Sequence, residues 1–191
     1  MRKTRETRLP RAANPLCPRH YFLTIGPFMR SFRFILLALL VMTASACSSR
    51  FISYDGPEVT RIEVHKGSRM LYLLHNNEIL ESYEFELGFA PEQHKQFEGD
   101  GRTPEGRYYI DRRNPNSSFY LSIGISYPNA TDRAFAAANG RSPGGEIFIH
   151  GTPRPFRNRD DWTAGCIAVS NSAMRQIYAM VQNGTVIDIY P

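Results

Sequence analysis

From Val59 onward the chain is dominated by short apolar runs in which buried and exposed positions tend to alternate. VTRIEVHK carries its apolar residues at Val59, Ile62 and Val64, and RMLYLLH and EILESYEFELG follow it across Asn76-Asn77. GRYYIDRR, FYLSIGIS, EIFIHG and TVIDIY repeat the style further along. Successive side chains of an extended strand point to opposite faces, so such runs read as strands with one face inside and one outside. The prolines and glycines fall mostly between the runs, and Asn76-Asn77 suits a hairpin turn. Helical spacing is rarer. Met174, Ile177, Tyr178 and Val181 recur at helical intervals, with Asn171 as N-cap and Asn183-Gly184 as the stop. DRAFAAANG is a candidate second helix, capped by Asp132 and ended by Gly140. The expectation is a mainly antiparallel β domain with one or two short helices.

The front of the chain is not fold material. Residues 1–28 are basic, broken by prolines and without steady periodicity. From Met29 the order changes: Arg30 and Arg33, an apolar run from Phe34 to Met42, then Thr43-Ala44-Ser45-Ala46 and Cys47. A positive segment, a short apolar core and small residues are the parts of a secretory signal peptide. The run is short for a membrane span, which needs about 20 apolar residues. Residues 1–47 are therefore expected to be a leader whose real start is Met29. Ala44-Ser45-Ala46-Cys47 also resembles a lipobox, which makes Cys47 a lipidation candidate and a possible membrane anchor. Residues 48–57 are expected to be a tether and 58–191 one folded domain.

Removing the leader reverses the charge. The whole chain has 23 Lys and Arg against 18 Asp and Glu. Eight of the basic residues but only one acid, Glu6, precede Ser48, leaving 15 basic and 17 acidic residues behind them. The basic character belongs to the leader. No basic stripe interleaved with aromatics marks a nucleic-acid partner.

Cys17 and Cys47 fall in the leader, so Cys166 is the one thiol of the folded part. A lone cysteine in an exported chain is a reactive thiol, an intermolecular bridge or a small buried hydrophobe. The run EIFIHG ends in His150-Gly151, and a loop of mixed charge leads back to Thr163-Ala164-Gly165-Cys166. An imidazole beside a thiol can take its proton and make it a nucleophile. Glycine before the cysteine lets a carbonyl substrate approach the backbone, and the Gly165 and Cys166 N–H groups are candidate oxyanion donors. His65, His75 and His94 form no metal-ligand spacing with Cys166, and no Walker or dinucleotide fingerprint is present, so neither metal nor cofactor is expected.

These residues resemble the L,D-transpeptidase catalytic domain, or YkuD-type, family. Its signature is His-Gly, an intervening loop, Ser/Thr-x-Gly-Cys and then an asparagine. Here these are His150-Gly151, Thr163-Ala164-Gly165-Cys166 and Asn171. Gly99-Asp100-Gly101-Arg102-Thr103-Pro104-Glu105-Gly106 resembles the family's Thr-Pro-x-Gly turn, and the likeness covers about residues 58–191. Two positions depart: Ala164 stands where the family commonly has histidine, and Ala168 where it commonly has arginine. The resemblance implies a β-sandwich or barrel in the periplasm or cell envelope. It implies Cys166 as nucleophile, His150 as base, the Gly151 carbonyl as imidazole-orienting group, and acylation by carbapenems. The substrate would be a peptidoglycan stem tetrapeptide: D-Ala leaves, a thioester forms on Cys166, and an amine resolves it. Thr163 is a candidate substrate contact, with a bond inside the turn as the alternative. The residue types at Ala164 and Ala168 keep open a hydrolase on the same scaffold, an L,D-carboxypeptidase or an amidase. A wall-binding lipoprotein without catalysis is the reading from another class. Trp162 is expected to anchor the loop end, and Arg154, Arg157 and Arg159, offset by Asp160 and Asp161, to be solvated.

Overall fold

The computed structural model describes residues 49–191; the leader, the Met29 start and Cys47 lie outside the described residues. The strands are β1 (Arg61–His65), β2 (Met70–His75), β3 (Glu78–Glu86), β4 (Gly106–Asn114), β5 (Ser122–Ile125), β6 (Phe148–Gly151), β7 (Ile167–Val169) and β8 (Val186–Tyr190). Two α-helices, α1 (Ala130–Ala138) and α2 (Asn171–Met180), follow β5 and β7. The strands close into a barrel in the order β1-β2-β3-β7-β6-β5-β4-β8.

Alternation explains how the barrel fills. Ile62 pairs with Leu73 and Ile187, and Val64 with Leu71 and Ile189, so equivalent inward positions lie side by side. Ile123, Ile149 and Ile167 make a second such row across β5, β6 and β7. All of these side chains are buried. Burying one Ile or Leu contributes about 1.5–3 kcal/mol, so the inner rows dominate the favourable side of folding. Closure pairs β3 with β7 only at Phe85 and Glu86, so the Glu78–Glu84 stretch of β3 is hydrogen-bonded on its β2 side alone among the described residues. Most neighbours are antiparallel, but β1–β8 and β6–β7 are parallel.

The turn between β2 and β3 places Asn76 at φ 56°, a left-handed conformation that asparagine tolerates well. The helix caps differ from expectation. Ser170, not Asn171, caps α2: its Oγ accepts the Ala173 N–H at 3.1 Å, and Asn171 is already helical. That helix stops at Met180, before Asn183-Gly184, because Val181 turns extended with its side chain fully buried. Asn129 caps α1, accepting the Thr131 and Asp132 N–H groups. Asp132 completes the capping box instead, its Oδ2 accepting the Asn129 N–H at 2.8 Å. The three-residue strand β7 has no periodicity to betray it, since all its residues are buried.

Candidate active site

β6 and β7 run parallel, with Ile149 opposite Ile167 and His150 opposite Ala168. Cys166 directly precedes β7. Alternation sends Ile149 and Ile167 into the barrel and places His150 and Ala168 on the other face, with Cys166 one pleat before Ala168. The histidine on β6 and the cysteine just ahead of the adjacent β7 are thus placed diagonally by the register, despite the loop of mixed charge between them in sequence.

His150 is only 4% exposed. Its Nδ1 lies 2.8 Å from the Gly151 carbonyl oxygen. A carbonyl only accepts, so Nδ1 carries the proton and Nε2 is left as the basic nitrogen. Phe119 stacks on the imidazole with centroids 4.6 Å apart, and Trp162 meets it tilted at 5.6 Å. Phe156 stacks in turn on Trp162 at 4.3 Å. This aromatic shell pushes the imidazole pKa below its ordinary value by burial, partly offset by the Gly151 carbonyl. The ring rests neutral.

Cys166 is half-buried and unpaired with any other cysteine among the described residues. Its Sγ lies 3.6 Å from the Glu146 carbonyl oxygen. Burial pushes the thiol pKa up, against weaker lowering by the Phe148 N–H and the Lys95 charge. An adjacent His⁺ lowering the thiol is therefore not the resting arrangement: thiol and imidazole are both neutral, because the site penalises each charged form.

The preceding turn is tightly held. Thr163 is 5% exposed; its Oγ1 donates to the Cys166 carbonyl at 2.8 Å and accepts the Gly165 N–H at 3.1 Å. Its hydroxyl serves the turn rather than a substrate. The Gly165 N–H is consequently occupied and is not an oxyanion donor. Gly165 sits at φ 123°, where a Cβ would run into the Arg102 carbonyl, so only glycine fits. The Cys166 N–H has no backbone acceptor among the described residues.

Sequence reasoning missed how the loop is pinned. Arg154, Arg157, Arg159 and Asp160 are exposed, as expected, but Asp161 is not a solvated counter-charge. It takes Arg69 in a two-pronged pair at 2.6 and 2.8 Å, and its Oδ1 accepts the Leu87 N–H at 3.2 Å. Its own N–H donates to Glu86 at 3.0 Å. Trp162 follows directly, so this anchor fixes the aromatic wall beside His150. Phe119 and Phe156 were also unforeseen, since nothing in their local sequence marks them as neighbours of the histidine. A cavity of about 610 Å³, lined by Glu84, Glu86, Thr152, Ala168 and Asn171 among others, opens beside Ala168. Among the described residues no group of three or more His, Cys, Asp or Glu is placed to hold a metal ion.

Comparison with known proteins agrees with this geometry. Residues 59–189 match the family of the L,D-transpeptidase catalytic domain, YkuD. The Escherichia coli K12 protein named "Putative L,D-transpeptidase YafK" is 31% identical over 146 residues, 68% of this chain and 53% of its own. The chain thus spans about half the length of the curated relatives it matches. In fold it is similar to the helical cell shape determining protein Pgp2 of Campylobacter jejuni, with a TM-score of 0.55 at 22% identity over 78% of this chain and 54% of that one. Bd1075 of Bdellovibrio bacteriovorus is similar too, with a TM-score of 0.51 at 24% identity over 75% of this chain and 52% of that one. This chain, a closed eight-stranded barrel among the described residues with its histidine on β6 and its cysteine directly before the parallel neighbour β7, belongs to the YkuD family of L,D-transpeptidase catalytic domains.

Proposed function

We propose that the protein is a cysteine-dependent L,D-transpeptidase of the cell envelope, acting on peptidoglycan stem peptides. The observation that carries this is the diagonal placement of His150 and Cys166, with the imidazole tautomer set by the Gly151 carbonyl. His150 Nε2 takes the thiol proton as Cys166 Sγ attacks the carbonyl between the diamino acid and the terminal D-Ala. The same proton then passes to the departing D-Ala amine, leaving a thioester on Cys166. An amine from a second stem or a protein lysine attacks the thioester, gives its proton to His150 and restores the thiol. Because both groups rest neutral, proton transfer accompanies attack instead of preceding it.

Hydrolysis of the same thioester is the second reading. Ala164 and Ala168 offer an acceptor amine no polar side chain, which leaves water as the competing attacking group. Export through the leader and lipidation at Cys47 complete the reading and place the enzyme against its wall substrate.

Incubation with defined muropeptides tests both, with wild type and Cys166→Ala side by side. Cross-linked dimers identify transfer, and shortened monomers alone identify hydrolysis. Cys166→Ala is expected to form neither. Turnover by that variant, or none by the wild type, contradicts the proposal.

A further inference from the structure

We infer that Thr103 is a positioning residue that orients the Cys166 backbone N–H toward the developing oxyanion; this deepens the reading above and rests on it. Thr103 Oγ1 donates to the Gly165 carbonyl oxygen at 2.8 Å, and Thr103 is fully buried. The Gly165 carbonyl and the Cys166 N–H belong to one planar trans peptide, so they point in opposite directions. Holding the carbonyl toward the interior turns the N–H away from Thr103. That N–H belongs to the nucleophile's own residue, within reach of an oxygen on a carbon bonded to Sγ.

Thr103 is itself held from behind. Its carbonyl oxygen accepts from Lys66 Nζ at 3.4 Å, and the same ammonium is bound by Glu105 and the Gln93 carbonyl, each at 2.6 Å. Lys66 is 5% exposed. The segment leading in is organised by Asp100. Its carboxylate accepts from Lys95 Nζ at 2.8 Å and from the N–H groups of Gln96, Phe97 and Arg102. The Arg102 carbonyl then packs under Gly165, at the place a Cβ would occupy. Thr163 fixes the preceding peptide by accepting the Gly165 N–H. The two threonines therefore divide the turn: one occupies the donor of Gly165, the other its acceptor, and the Cys166 N–H is the group that remains for chemistry.

A thioester-forming reaction builds negative charge on oxygen, whereas alkylation of sulfur does not. The test uses the full chain as wild type, Thr103→Val and Thr103→Ser. Acylation of Cys166 by meropenem is followed by intact mass, alkylation by iodoacetamide is run in parallel, and melting temperature is recorded. Thr103→Val is expected to slow acylation about 10–100-fold while alkylation stays within about twofold, and Thr103→Ser is expected to restore acylation. If Thr103→Val does not fold, Thr103→Ala carries the same prediction. Unchanged acylation, equal loss of both rates, or failure of serine to restore acylation overturns the assignment. A wild-type chain that iodoacetamide alkylates but meropenem leaves unmodified removes the acyl-transfer reading and this assignment together.

Discussion

Asp161→Ala tests whether the loop beside His150 is built or merely passing. The carboxylate makes three side-chain bonds, two to Arg69 and one to the Leu87 N–H. The Arg69 pair has side chains 34% and 25% exposed, so solvent screens it and its loss costs about 1 kcal/mol. Leu87 is fully buried, and its orphaned N–H costs about 1–3 kcal/mol more. The expected destabilisation is about 2–4 kcal/mol, which for a domain of this size lowers Tm by about 6–12 °C. Trp162 also loses its fixed place, so turnover falls with stability. Arg69→Ala removes only the ion pair and should cost about 1 kcal/mol. Asp160→Ala, at an exposed position, should stay within about 0.5 kcal/mol. Differential scanning calorimetry of the three variants gives the ranking. An Asp161→Ala melt indistinguishable from that of Asp160→Ala would refute the anchor.

The pH behaviour of the site follows from burial. Burial disfavours the thiolate, so the neutral thiol persists to higher pH, and the iodoacetamide rate should rise with a midpoint above the ordinary thiol value of about 8.5; a midpoint near 6 indicates a preformed ion pair instead. Burial equally disfavours imidazolium, so the base stays competent to lower pH, and the acid limb of kcat/KM should have its midpoint below about 6.5. An acid midpoint above 7 contradicts the neutral resting state. Gly165→Ala forces a side chain into a left-handed backbone against the Arg102 carbonyl. It should cost about 2–4 kcal/mol and remove acylation, whereas wild-type stability in that variant excludes the strained turn.

What the sequence shows depends on how local the cause is. Strands β1, β2 and β4 were legible because alternation is a local consequence of facing a core on one side only, and β5, β6 and β8 because their β-branched and aromatic runs are bounded by turn residues. β7 was not, because three buried residues are too short a run to show either alternation or a bounded apolar stretch. The histidine and cysteine were legible as motif residues, but their adjacency rests on parallel pairing of β6 with β7, which no local signal specifies. The caps were misplaced by a residue or more because Ser170 and Asn171 are both good caps, and the end of β7 decides between them. Asp161 looked like one charge among several; only the approach of Arg69 and Leu87, far away in sequence, makes it an anchor. The Gly165 N–H looked available for an oxyanion until folding gave it to Thr163.

The most direct measurement is rapid quenching of the protein with a disaccharide tetrapeptide, followed by intact mass and peptide mapping. The account predicts an acyl adduct lacking the terminal D-Ala, held as a thioester on the peptide containing Cys166, and strongly slowed in His150→Ala. Release of D-Ala with the Cys166 peptide never modified, or release persisting in Cys166→Ala, would contradict it.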